Sequence, residues 1–99
     1  MIHIAERPLP PPPETLDRLA FWSYLAGLGV TRAMVLSEID AAETAGALTA
    51  VEAERLRLKV TDASHYPRTD PLLLELGRSL GVAETQADID AHYRAAATL

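Results

Sequence analysis

Past residue 13 the chain is cut at short intervals by residues that start and stop helices, and this punctuation restricts it to a set of short helices. Thr49-Ala50-Val51-Glu52 has the spacing of a capping box. In that motif the threonine hydroxyl accepts from the amide of the third helical residue, and the glutamate reaches back to the threonine amide. Asp70-Pro71 reads as an N-cap followed by a proline whose missing N–H is not needed in a first turn. Thr31, and Thr85 with Asp88 three positions on, are further start signals. Gly27 with Gly29, Gly46 and Gly81 stand where a helix should end in a left-handed residue. The spacing predicts helices over residues 14–26, 32–45, 50–60, 71–80 and 86–97, with a loop over 61–69. The expected fold is therefore all-α, a small bundle of four to five short helices. Its expected core is Leu16, Leu19, Trp22, Val35, Ile39, Leu56, Leu73, Leu76, Leu80, Ile89 and Tyr93.

Residues 1–13 obey a different logic. Pro8 and the run Pro10 to Pro13 lack backbone donors and fix φ, so this stretch is expected to be an extended, polyproline-like arm. Ile2 and Ile4 alternate about His3, a short strand-like pattern. The expected organisation is an arm over 1–13 and a helical domain over 14–99.

Composition removes several functions. The chain has no cysteine, which excludes disulfides, thiolate catalysis and cysteine-ligated metal centres. Fourteen acidic residues against nine basic ones leave a net charge of −5. That balance repels phosphate backbones, so nucleic-acid binding would need a local basic face. Arg55, Arg57 and Lys59 are the one basic run, but their alternate spacing spreads them around a helix beside Glu52 and Glu54. Residues 71–97 also have the outline of a helix-turn-helix about Gly81. The second helix, however, carries Asp88 and Asp90 where a recognition helix would meet phosphate. A small DNA-binding or transcription-regulating protein is thus the alternative reading. No apolar run reaches the length of about 18 residues that a membrane-spanning helix needs. The start of the chain lacks the basic and apolar regions of a secretory signal. The chain is expected to be cytoplasmic when made.

Catalytic and cofactor signals are equally thin. No nucleophile elbow, phosphate loop or glycine fingerprint is present, and no cofactor is expected. His3, His65 and His92 are far apart in sequence; Asp88 and His92, four positions apart, share a helix face and suit a surface charge pair. Glu38, Asp40 and Glu43 make an acidic patch of the kind that usually faces water. An enzyme is not expected.

Interaction signals are stronger. The helix over 14–26 is apolar on nearly every side, through Leu16, Leu19, Ala20, Phe21, Trp22, Leu25 and Ala26. Such a helix is buried, either centrally in its own domain or against another chain. The expected protein interface combines Ile2, Ile4, Leu9, Pro10, Pro11 and Pro12 of the arm with Phe21, Trp22 and Tyr24 of this helix. The partners would be other protein subunits, in a homo- or hetero-oligomer.

One resemblance bears on this expectation. Residues Tyr66-Pro67-Arg68-Thr69-Asp70-Pro71-Leu72, Leu76-Gly77, Leu80-Gly81 and Ile89-Asp90-Ala91-His92-Tyr93-Arg94-Ala95-Ala96 form a pattern over about 30 positions. This pattern resembles small proteins of tailed-phage and prophage structural gene clusters, as does a Pro-rich start followed by Leu-Asp-Arg-Leu. The resemblance implies a minor virion component, of the tail or head–tail region, and a virion location. It brings no catalytic residue with it.

Overall fold

The computed structural model describes residues 10–98. Within them lie α1 (Arg18–Gly27), α2 (Arg32–Thr44), α3 (Ala50–Asp62), α4 (Pro71–Leu80) and α5 (Gln86–Ala96). Two short strands, β1 (Thr15–Asp17) before α1 and β2 (His65–Pro67) after α3, pair antiparallel with Leu16 opposite Tyr66. The molecule is a mostly helical small bundle with one two-stranded ribbon.

Each helix begins where its capping residue stands. Asp17, Thr31, Thr49, Asp70 and Thr85 all have extended backbone and accept an amide from the following turn. Thr49 with Glu52, and Thr85 with Asp88, close full capping boxes. Gly29, Gly46 and Gly81 take positive φ, and Gly81 at 74° is the left-handed cap of α4.

The first helix starts later than its apolar pattern suggests. Residues 14–17 form no helix, because Asp17 takes the cap position, accepting from the Ala20 amide at 2.8 Å. That leaves Thr15–Asp17 extended beside β2, with Leu16 buried and its two neighbours exposed. The ribbon is continued by Arg18 N–H to the Ser64 carbonyl and Arg68 N–H to the Glu14 carbonyl. The expected loop over 61–69 is correspondingly shorter, since α3 runs to Asp62 and β2 follows.

The bundle has two apolar cores. Leu16, Phe21, Tyr66, Ala83, Ile89, Tyr93 and Ala96 form the first, where α1, the ribbon and α5 meet. Val30, Val35, Ile39, Ala53, Leu56 and Val60 form the second, inside the α2–α3 hairpin. Two helices join them. From α1, Trp22 and Leu25 pack against both cores. From α4, Leu73 and Leu74 face the first, while Leu72, Leu76 and Leu80 face the second. Leu19 corrects the expected core: it is 79% exposed. At 3.6 residues per turn, Leu19 points away from the face that Phe21, Trp22 and Leu25 turn inward.

Candidate functional site

The densest chemistry lies where α1 meets the ribbon and α5. Phe21 stacks on Tyr66 with ring centroids 4.1 Å apart, and Trp22 stands edge-on to both. Trp22 Nε1–H donates to the Tyr66 hydroxyl at 3.1 Å, which in turn donates to the Lys59 carbonyl at 2.7 Å. Tyr93, 3% exposed, donates its hydroxyl to the Tyr66 carbonyl at 2.7 Å. Burial pushes the Tyr93 phenol well above its ordinary range, so it stays a neutral donor.

His92 is a second junction. Its Nε2 lies 2.6 Å from the Val82 carbonyl and its Nδ1 lies 2.6 Å from the Tyr24 hydroxyl. A carbonyl only accepts, so Nε2 carries the proton, and in the neutral ring Nδ1 accepts from Tyr24. The histidine thus links α1, α5 and the turn between α4 and α5. Asp88 is its neighbour by spacing, but the Asp88 carboxylate accepts the backbone amides of Glu84 and Thr85, which hold its pKa below the usual range. It acts as a helix cap. His65 Nδ1 lies 3.0 Å from the Ser64 hydroxyl, away from His92. Among the described residues no three His, Asp or Glu side chains converge as metal ligands.

The charged side chains are paired across elements. Arg68 reaches Asp90 at 2.9 Å and Glu14 at 3.1 Å, while Gln86 donates to both Asp90 and the Arg68 carbonyl. The Asp90 carboxyl is held below its usual range by the Gln86 amide and then by Arg68. Arg57 of α3 bridges to Asp40 and Glu43 of α2, and Lys59 pairs with Asp70 at 2.8 Å. The acidic patch of α2 is therefore largely one side of a helix–helix ion cluster. These engaged cations leave less positive charge free to meet phosphate.

The predicted interface residues separate in space. Ile2, Ile4 and Leu9 lie outside the described residues. Pro10 and Pro11 are exposed and Pro12 is half-buried. The Pro10 carbonyl accepts from Arg94 Nε at 2.9 Å, so the proline run is tied to α5 of its own chain. Phe21 is buried in the first core, and Trp22 and Tyr24 are half-buried, each with its polar atom bonded inside the domain. Of the two readings of this helix, its aromatic face serves its own domain. Its outer face is Leu19, Ser23 and Ala26, all exposed.

Sequence reasoning missed a cavity. Between the two cores, under α4, lies an apolar space of about 90 Å³ bounded by Phe21, Trp22, Leu56, Val60, Leu73, Leu76, Ile89 and Tyr93, among others. A shallower cleft, lined by Ile39, Leu48, Leu72, Leu76 and the rims Glu38 and Glu75, flanks α4 on its α2 side. Gly77 is the one buried residue of α4, and its leucines at 72, 73, 74, 76 and 80 are all half-buried. The available signal was Leu72-Leu73-Leu74: three leucines in a row cannot all face one core from a helix. No known protein family matches the chain, and no characterised protein or solved structure matches it either.

Proposed function

We propose that this chain is a non-enzymatic structural or adaptor subunit that binds other protein chains through the outer face of α1 and the arm preceding it. The observation that carries the reading is Leu19, 79% exposed on the first helix after the arm. A lone exposed leucine is ordinary on any surface. Here it continues into Ser23 and Ala26 at helical spacing, small residues that let another chain come close. Burying that leucine in a partner would contribute roughly 1.5–3 kcal/mol. The Arg94 bond to the Pro10 carbonyl supplies a fixed point at the root of the arm. A segment held at its root loses less freedom on docking than a free tether does.

The finer version of this proposal is a minor tail or head–tail component of a phage particle, supported by the resemblance of residues 66–96 described above. Several residues that carry it are folding determinants: Asp70 and Gly81 cap α4, Gly77 receives the following turn, and Tyr93 bonds the ribbon. The resemblance therefore supports a shared helical scaffold more than a shared site.

The test is photo-crosslinking in source cells from positions 2 and 19 of the full chain, followed by mass spectrometry of purified complexes and particles. Both positions should label the same one or two proteins, and Leu19→Glu should abolish the product from position 2 or weaken it several-fold. A chain that stays monomeric and unlabelled from both positions overturns the proposal.

A further inference from the structure

We infer that the cavity beneath α4 is a binding site for a small, uncharged, apolar molecule. Three observations meet there. The first is the chemistry of its wall. Phe21, Leu56, Val60, Leu73, Leu76 and Ile89 present carbon to the space. The polar groups at its margin are already satisfied by one another. Trp22 donates to Tyr66, Tyr66 to the Lys59 carbonyl, Tyr24 and His92 are joined, and Lys59 is paired with Asp70. A bound water needs two to four polar partners, and this wall offers few, so it favours carbon over ordered water. An apolar guest there leaves no hydrogen bond unmade.

The second observation is size. About 90 Å³ is somewhat over half the volume of an engineered apolar cavity, about 150 Å³, that stays dry and takes up benzene or xenon. The space thus suits a xenon atom, and a benzene ring or a branched chain of about four carbons if the wall yields slightly. The third observation is a wall able to yield. Leu73 and Leu76 belong to α4, whose leucines are half-buried and which has a second apolar cleft along its other side. Leu76 lines both spaces. Rotamer changes of Leu73 and Leu76 would widen the space without moving the α4 backbone, which Gly77 holds against Ala83. Anionic and zwitterionic ligands are disfavoured, because Asp70 already occupies the lysine at the margin. The site is separate from the outer face of α1, so the inference stands or falls independently of the proposed protein partner.

The experiment uses the full chain with xenon under pressure and with benzene near saturation as probes. The readouts are thermal unfolding and amide chemical shifts. Binding to the folded state alone raises Tm, and a rise of at least about 2 °C is expected with benzene. Shift changes should concentrate at Phe21, Val60, Leu73 and Leu76. Val60→Phe, which places a ring in the cavity, should remove the response to both probes. Leu76→Ala, which enlarges the cavity, should tighten benzene binding at least about threefold while lowering the unliganded Tm. Should Val60→Phe fail to fold, Leu76→Ala still decides the matter. An unmoved Tm and unmoved shifts in the unsubstituted chain, or an equal response in Leu76→Ala, overturns the inference. So does a response in Val60→Phe as large as in the unsubstituted chain.

Discussion

Replacing Gly77 by alanine should destabilise the domain, although local preference says the opposite. Gly77 lies inside α4 with ordinary helical backbone, where alanine is favoured over glycine by about 0.8–1 kcal/mol. The tertiary structure reverses that sign. A Cβ at position 77 would sit 2.9 Å from the Ala83 Cβ, well inside the roughly 3.5–4.0 Å of a comfortable carbon contact. Ala83 has little room to retreat, being 4% exposed. It is also pinned to the same residue, since the Val82 and Ala83 amides both donate to the Gly77 carbonyl, at 2.9 and 3.2 Å. Overpacking a site of this kind costs about 1–3 kcal/mol. Against the propensity gain this leaves a net loss of about 1 kcal/mol, or a fall in Tm of about 4–8 °C for a domain of this size. Urea unfolding followed by far-UV circular dichroism would measure it. Ala83→Gly removes the opposing methyl, so the double variant should recover at least about 1 kcal/mol relative to the sum of the two single changes. A higher Tm in Gly77→Ala would refute the reasoning. Additivity of the pair to within about 0.5 kcal/mol would do so as well.

Tyr66→Phe removes the acceptor of the Trp22 indole and the donor to the Lys59 carbonyl, and should cost about 1–3 kcal/mol in urea unfolding. An unchanged midpoint would show that water replaces both bonds. Stability should fall in acid, because the folded Asp88 and Asp90 carboxyls have depressed pKa values, set by the Glu84 amide and the Gln86 side chain respectively. Their contribution is complete above the unfolded value, about 3.9, and is lost as pH falls through the folded one. Asp88→Asn should therefore flatten the dependence of the urea midpoint on pH below about pH 5, and an unaltered slope would exclude Asp88 as a source.

Local signals made the helices legible. Every predicted start from residue 31 onward coincides with an observed cap, because a capping side chain acts within its own turn and needs no tertiary partner. The ribbon was not legible. Leu16 reads as the first apolar residue of a helix, and only Tyr66, far along the chain, reveals that it is a strand residue. The same blindness covers the outward turn of Leu19, because Leu16, read with it as one helix face, belongs to a strand instead. Phe21, Trp22 and Tyr24 were identifiable as a group with a role, but their spacing could not distinguish a domain core from an interface. The cavity was beyond reach for a related reason. It is the mismatch between two cores, and depends on how far α4 can approach both at once.

The pairing of Leu16 with Tyr66 also dictates when the protein becomes a protein during synthesis. The two strands lie about 50 positions apart, and the ribbon is further held by Tyr93 near the other end of the described chain. As the chain emerges from the ribosome, Phe21 lacks its stacking partner until β2 supplies Tyr66, and Tyr66 lacks its bond from Tyr93 until α5 appears. The α2–α3 hairpin, whose contacts are local, can form first. At about 5–20 residues per second, the nascent chain carries Phe21 without its stacking partner for several seconds. That interval is when a chaperone, or the eventual partner of α1, has its first access to the chain.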